Sequence, residues 1–431
     1  MHTADGQQRG GAVILGWLAA CLLPLLLIID TAAAAIDGWQ LHEAGGLVVL
    51  PVLAVATLVA SIALLAFLSI RQFLARNARR LLLASCGLVM GLGIGELVIS
   101  SYAPPAPFHC RAPRAVYEFE PNSFAMPGVF GPAVMSFNKK GLRGAEISGA
   151  GNDYRILCAG GSSTECCYLD DTETWPTLLQ SQLEQRGFAC RVSAATVSSY
   201  ASGHHLRFLR NADIVDRVDC VVLLVGANDL LRTILRQSVS GATPPLWSRS
   251  RMADLLQRLW NVQLGNGLIF DVSGEEISVM RWGRPITEFD LWAAIESDLE
   301  SYAGRIRATI AAARQRNVRV VFVSQPCLWA EFLTSLATSR LRWAGEPTSP
   351  RRWEALEATS LRNALDRYNS VLADVCDEAG VEFVDAATMS GVEQYFYDDF
   401  HLNESGCRRL TAIVSEHLLS HAPERTLDSE D

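Results

Sequence analysis

The chain has 431 residues, 37 Lys/Arg against 46 Asp/Glu and a formal net charge of −9, a balance that argues against nucleic acid as a partner. Charged residues make up 19 % and the mean hydropathy is +0.17, so long apolar stretches must be concentrated somewhere in a chain long enough for one large or two ordinary domains.

They lie at the start. Residues 1–103 contain three apolar stretches, at about 12–32, 45–70 and 81–101, each near the ~20 residues that cross a bilayer. Together they predict an N-terminal bundle of three transmembrane helices. Asp37 and Glu43 follow the first stretch, and Arg71, Arg76, Arg79 and Arg80 follow the second. Arginine clusters stay on the cytoplasmic side, so the chain beyond residue 103 is expected outside, on the periplasmic or extracellular face of the cell membrane. Ala33 and Ala35 form an A-x-A-like site, which leaves open a cleaved signal peptide in place of the first helix. Both readings put the C-terminal part on the same side. Gly87, Gly91 and Gly95 make a small-xxx-small stripe suited to close helix packing. The anchor carries five basic and five acidic residues, so the whole negative charge belongs to the chain beyond residue 103.

Residues 104–150, proline-rich and then glycine-rich, read as a linker and cover segment. From 151 to 421 the pattern is regular. Apolar runs at Tyr154–Ala159, Cys190–Thr196, Asp219–Val225, Val318–Ser324 and Val381–Val384 predict five strands. Helical periodicity near 172–187, 203–214, 293–316, 358–379 and 404–420 fills the gaps. This alternation predicts a parallel five-stranded sheet in a flavodoxin-like three-layer α/β/α sandwich. The stretch at about 231–290 is too long for one connection and is expected to form a cap; an acidic tail closes the chain at 422–431. Of eleven cysteines, Cys158, Cys190 and Cys220 fall inside strand-like runs, while Cys110, Cys166 and Cys167 are the better disulfide candidates. His204 and His205 are expected at an exposed helix start.

Three short segments follow strands at their carboxyl ends, where sites form in such sheets. In Gly160-Gly161-Ser162-Ser163-Thr164, a hydroxyl stands on a glycine-supported turn; Ser162 suits a nucleophile, and the same hydroxyls suit helix caps. In Gly226-Ala227-Asn228-Asp229, Gly226 permits an unusual backbone angle, the Asn228 amide suits an oxyanion and Asp229 suits holding the loop. In Asp398-Asp399-Phe400-His401, one loop presents an imidazole and the carboxylate that would orient it; a metal site from Asp398, Asp399 and His401 is the lesser alternative.

Taken together these segments resemble the sequence blocks of the SGNH, or GDSL-like, hydrolase superfamily. Gly160–Ser163 is similar to the nucleophile block, with Gly161 in support, Gly226–Asp229 to the Gly-x-Asn-Asp block, and Asp398–Leu402 to the Asp-x-x-His block. Phe137-Asn138-Lys139-Lys140-Gly141-Leu142-Arg143-Gly144 is similar to a segment ahead of the first block in many bacterial members. The likeness covers roughly 137–420. It implies Ser162, Asp398 and His401 as catalytic residues, with Ser162, Asn228 and the last position of the family's Asn-x-Gly-x-x-Gly block as oxyanion donors. That block corresponds here to Ser193–Ser198, with Ser198 in place of its final glycine. The implied activity is hydrolysis of an acyl ester, acetyl foremost, with no cofactor and no metal. The expected substrate is an acylated small molecule or, from the expected location outside the membrane, a polysaccharide, and the apolar stretches make the bilayer the other expected partner. Acyl transfer to a sugar by the same residues, or a non-catalytic polysaccharide-binding subunit, are the alternatives.

Overall fold

A computed structural model describes residues 68–102, 111, 113–147, 153–238, 287–344 and 356–422. The apolar stretch at 12–32, most of that at 45–70, most of the cap at 231–290, Cys110 and nearly all of the acidic tail lie outside these residues.

Leu68–Tyr102 forms one helix, α1, of 35 residues. Arg71, Arg76, Arg79 and Arg80, expected in a loop, sit on it, and no break separates the second apolar stretch from the third. The reason is local. From Leu68 to Ala84 there is neither glycine nor proline, and leucine, arginine and alanine are among the strongest helix formers. Arg76–Val98 is long and apolar enough to cross a membrane, and its most apolar window has no buried residue. Among the described residues it is the only helix of this kind, so a bundle of three is not supported.

The remaining elements build an α/β domain. β1 (Val116–Phe119) and β2 (Ala133–Ser136) pair as an antiparallel ribbon. Met135 and Phe137 pack from it onto Cys167. β3 (Arg143–Gly144), β4 (Tyr154–Gly160), β5 (Cys190–Thr196), β6 (Cys220–Val225), β7 (Arg319–Ser324) and β8 (Glu382–Val384) form one sheet in the order β3-β5-β4-β6-β7-β8. The last five strands are parallel in a 2-1-3-4-5 order, the flavodoxin-like winding.

The sheet is therefore six-stranded and mixed rather than five-stranded and parallel. β3 runs antiparallel to β5 through Arg143–Ala194 and Gly144–Ser193. Two residues have no periodicity to read, and Gly144, at φ +94 with the Val192 carbonyl close by, lets the chain turn onto the edge.

Strand alternation sends successive side chains to opposite faces. Leu157, Ala159, Val221, Leu223 and Phe322 face the layer of α4 (Ser202–Asn211), α5 (Ala227–Ser238), α6 (Glu288–Gln315) and α8 (Ala358–Ala379). Ile156, Cys158, Cys220, Val222 and Val323 face α3 (Trp175–Gln185) and α9 (Glu404–Ser420). All six β6 residues are buried, as a central strand covered on both faces requires. Two one-turn helices, α2 (Ser162–Glu165) and α7 (Ser335–Thr338), complete the domain. Cys166 and Cys167 are buried free thiols; the Cys166 and Cys407 sulfurs lie 3.8 Å apart.

An ion pair ties β7 to β8. Arg319 donates to both oxygens of Glu382, at 2.7 and 2.6 Å, and His417 Nε2 lies 2.9 Å from one of them. Burial alone would raise this carboxyl, but the Arg319 and His417 contacts outweigh it and hold it down at about 2. A carboxyl with a lowered folded-state value stabilises the fold above its unfolded value, and that contribution is lost as pH falls from about 4 towards 2. Because the group is partly exposed and screened by solvent, the contribution is on the order of 1 kcal/mol. In acid titrations followed by thermal melts, Glu382→Gln should be less stable than wild type at pH 7 by an amount of that order, and the gap should close below pH 3.

Candidate active site

β4 ends at Gly160, and Ser162 opens α2 directly beyond it. A Cβ on Gly161 would collide with the Asn228 amide nitrogen, so only glycine lets that side chain lie against the Ser162 turn. Ser162 is 7 % exposed. Its Oγ lies 2.7 Å from His401 Nε2, although the two residues are 239 positions apart.

The loop carrying His401 is closed on itself. An antiparallel bridge joins Phe396 to Leu402, and the Tyr397 N–H donates to the His401 carbonyl at 3.1 Å. Within it, Asp398 accepts from the backbone N–H groups of Phe400 and His401 at 3.3 and 3.0 Å. His401 Nδ1 lies 2.8 and 2.7 Å from the two Asp398 oxygens. An Nδ1–H donated to the carboxylate leaves Nε2 bare, ready to accept the Ser162 proton. Tyr397 stacks parallel to the imidazole at 5.5 Å, and Asn403 caps α9 by accepting from Gly406 N–H at 3.0 Å.

Asp398 is 3 % exposed. Burial pushes its carboxyl up, but the His401 ring, the hydrogen bonds to it and the Arg342 guanidinium, 3.8 Å away, bring it below the ordinary carboxylate range. It is therefore a buried anion under the imidazole. Asp399 faces elsewhere. Its oxygens accept from the Trp329 indole at 2.8 Å and from the Arg342 and Trp343 N–H groups at 2.6 and 3.0 Å. Burial, reinforced by the Asp398 charge, pushes it up to about 6.

On the opposite side, Gly226 adopts φ +129 after β6, a backbone angle open to glycine. Asn228 donates one amide hydrogen to the Tyr200 carbonyl at 3.0 Å. Asp229, 3 % exposed, accepts from the N–H and hydroxyl of Ser202 and pairs with Arg305 at 3.4 Å. It anchors the start of α4 and its carboxyl is pushed up by burial. The structure thus brings Ser162, His401 and Asp398 into one hydrogen-bonded chain, with Gly161 and Asn228 beside it and Gly226 and Asp229 behind.

Ser198 is a correction. Its N–H donates to Glu165 Oε2 at 3.0 Å and its hydroxyl to the same oxygen, so that N–H is not available to an oxyanion. The residue in the left-handed region is the next one, Ser199, at φ +69. That is the conformation a terminal block glycine would adopt, so the block corresponds to Ala194–Ser199. Among the described residues the Ser199 and Ser162 N–H groups have no hydrogen-bond partner. His205 is a second correction: it is 3 % exposed, and burial lowers its imidazole to about 4. The α4 face that carries it packs on α6 rather than meeting water.

Several supporting residues escaped the sequence reading. Arg143, 2 % exposed, donates to the carbonyls of Glu165, Cys166 (2.9 Å) and Leu169 (2.7 Å), and to Asp171 at 2.7 Å. It thereby satisfies the chain where it leaves α2. Ser163 donates to the Phe400 carbonyl at 3.2 Å and accepts from Gln325 at 3.4 Å, bracing the nucleophile turn against the His401 loop. The Gly-Leu-Arg-Gly spacing around Arg143 was a usable signal; the Ser163 and Gln325 roles leave none in sequence.

A sequence model of the GDSL-like lipase/acylhydrolase family matches residues 158–409, more than half of the chain. A search of curated proteins by sequence gives no match. Among solved structures, the chain is similar to an acetyl xylan esterase, AlAXEase, at 13 % identity, covering 62 % of this chain and all of that one, with a TM-score of 0.35. It is also similar to an acetyl xylan esterase variant from Geobacillus stearothermophilus at 12 % identity, covering 63 % and 97 %, with a TM-score of 0.35. A GDSL-like lipase from Bacteroides thetaiotaomicron aligns at 14 % identity over 62 % and 88 %, with a TM-score of 0.34.

Proposed function

We propose that this chain, which belongs to the GDSL-like lipase/acylhydrolase family, is a membrane-anchored serine esterase that removes a small acyl group, acetyl foremost, from a carbohydrate outside the cytoplasm. The observation that carries the reading is the hydrogen-bonded chain from Ser162 through His401 to Asp398.

In this mechanism the Ser162 hydroxyl attacks the ester carbonyl while His401 Nε2 takes its proton. Asp398 holds the imidazole and stabilises the imidazolium that forms. The tetrahedral oxyanion is met by the Ser162 and Ser199 N–H groups and the second amide hydrogen of Asn228. His401 then protonates the departing alcohol, leaving an acyl-enzyme at Ser162. Water, deprotonated by the same imidazole, releases the acid and restores the serine.

The 7 % exposure of Ser162 suits a small acyl group. For location, the support is α1: Arg71, Arg76, Arg79 and Arg80 precede an apolar run that ends at Val98, and basic flanks stay inside. The acidic domain follows on the other side. A neutral, hydroxyl-rich substrate then fits better than a polyanion.

The test is acetate release from an acetylated polysaccharide and from a short nitrophenyl ester by the full chain in membrane vesicles. Release from both, from the outer face only, supports the whole reading. Release from the nitrophenyl ester alone would leave an esterase whose substrate is not carbohydrate. Asn228→Ala should lower kcat by about 10²- to 10³-fold with little change in KM, as loss of one oxyanion donor does; an unchanged kcat would remove Asn228 from the mechanism.

A further inference from the structure

We propose that Arg111, which lies between the apolar helix and the α/β domain in sequence, is a positioning residue for the Ser162 site, acting through Glu165 on the Ser198–Ser199 turn. The inference rests on the esterase reading and deepens it.

Glu165 stands on the same one-turn helix as Ser162, three residues on, and its side chain is completely buried. Its two oxygens have different duties. Oε1 accepts from Arg111 Nε at 2.9 Å and Nη2 at 2.7 Å, a forked contact from a guanidinium that is itself only 9 % exposed. Oε2 accepts from both the N–H and the hydroxyl of Ser198. A carboxylate taken out of water needs a cation and a full set of donors. The other guanidinium close by does not supply the charge contact: Arg143 spends its N–H groups on the carbonyls of Glu165, Cys166 and Leu169 and on Asp171. Arg111 is therefore the counter-charge that lets Glu165 remain a double acceptor.

What Glu165 holds matters for chemistry. Ser199 sits at φ +69, which a serine adopts only when its surroundings impose it. The surroundings here are the Glu165 clamp on Ser198 from one side and Arg232 Nη2, 3.3 Å from the Ser199 carbonyl, from the other. The clamp fixes the direction of the Ser199 N–H relative to the Ser162 N–H, because both hang from the same α2 framework. Arg111 is itself pinned: its N–H donates to the Gly141 carbonyl at 3.1 Å, in the loop that leads to Arg143. Arg111 is thus tied through Glu165 to the turn that carries the Ser199 N–H.

The experiment compares full-length wild type, Arg111→Met, Arg111→Lys and Arg111→Met/Glu165→Gln in detergent. Active sites are counted by a phosphonate that bonds covalently to Ser162, and turnover is measured on a short nitrophenyl ester. For Arg111→Met, kcat per titrated site should fall roughly 10- to 100-fold with KM within about twofold, the cost of misplacing a catalytic donor from a distance. Arg111→Lys should recover part of the loss. In the double variant a neutral amide oxygen still accepts from Ser198 and needs no counter-charge, so kcat should rise again above that of Arg111→Met. A merely structural role predicts fewer titratable sites with wild-type kcat at each one, and that result would overturn the proposal. So would a double variant no faster than Arg111→Met. A wild type that neither titrates nor turns over would instead bring down the esterase reading itself, a distinct outcome.

Discussion

Ser162→Ala should leave a folded protein whose kcat on a short nitrophenyl ester is lower by about 10⁴- to 10⁶-fold, with KM nearly unchanged. The hydroxyl is the only part of the side chain removed, and its hydrogen bond is to His401 Nε2. Packing loss is therefore small. The imidazole keeps its partner Asp398 and stays in place. Residual activity would come from the oxyanion donors and from substrate binding. His401→Ala should cost as much, and the Ser162→Ala/His401→Ala pair no more than either alone, because the two act on one proton. Additive losses would mean that the two groups do not serve the same step. Circular dichroism and thermal melts check that the variants fold.

Asp398→Asn should reduce kcat by about 10⁴-fold while changing size hardly at all. In the wild type, both Asp398 oxygens lie within 2.8 Å of His401 Nδ1, and one of them also accepts the Phe400 and His401 N–H groups. An asparagine offers one acceptor oxygen. If that oxygen keeps the two backbone donors, the amide NH₂ faces Nδ1 and selects the tautomer protonated on Nε2. Such an imidazole donates towards Ser162 instead of accepting from it, and the serine loses its base. The loss should ease as pH rises, as hydroxide replaces the missing base; steady-state kinetics from pH 6 to 10 checks this. A variant with wild-type kcat at neutral pH would show that Asp398 has no part in setting the imidazole.

How much of this could be read from the chain depended on the range of the interaction. The five parallel strands came out within a residue or two, because a continuous apolar run such as Cys220–Val225 writes double burial directly into composition. α8 and α9 matched their expected ranges of 358–379 and 404–420, since a C-cap glycine and an N-cap asparagine mark their ends. β3 was missed, as a two-residue edge strand carries no pattern. At the site, the structure brings Ser162, Asp398 and His401 into one hydrogen-bonded chain with Asn228 beside it, and the sequence marks these four because each stands in a short block set by the few residues around it. Ser198 was misplaced for the opposite reason. Which of two adjacent serines turns left-handed is decided by Glu165, 33 residues earlier, and nothing local distinguishes them. Arg111 escaped for the same reason, since its partner Glu165 lies on α2. In the N-terminal part, the arginines were read as a loop because charge was weighed above helix propensity; α1 shows that a cluster of arginines can continue a helix.

The chain's two reacting groups are made at very different times. Ser162 follows the first parallel strand, and its base is synthesised 239 residues later, just before the final helix. A chain emerging from the ribosome thus carries the serine for most of its synthesis with no imidazole to activate it. Only docking of α9 against α3 through Leu410, Val414 and Leu418 brings the His401 loop home. An incomplete chain therefore carries the nucleophile without its base, and catalytic competence waits for the C-terminal loop. Esterase activity consequently reports completion of the fold.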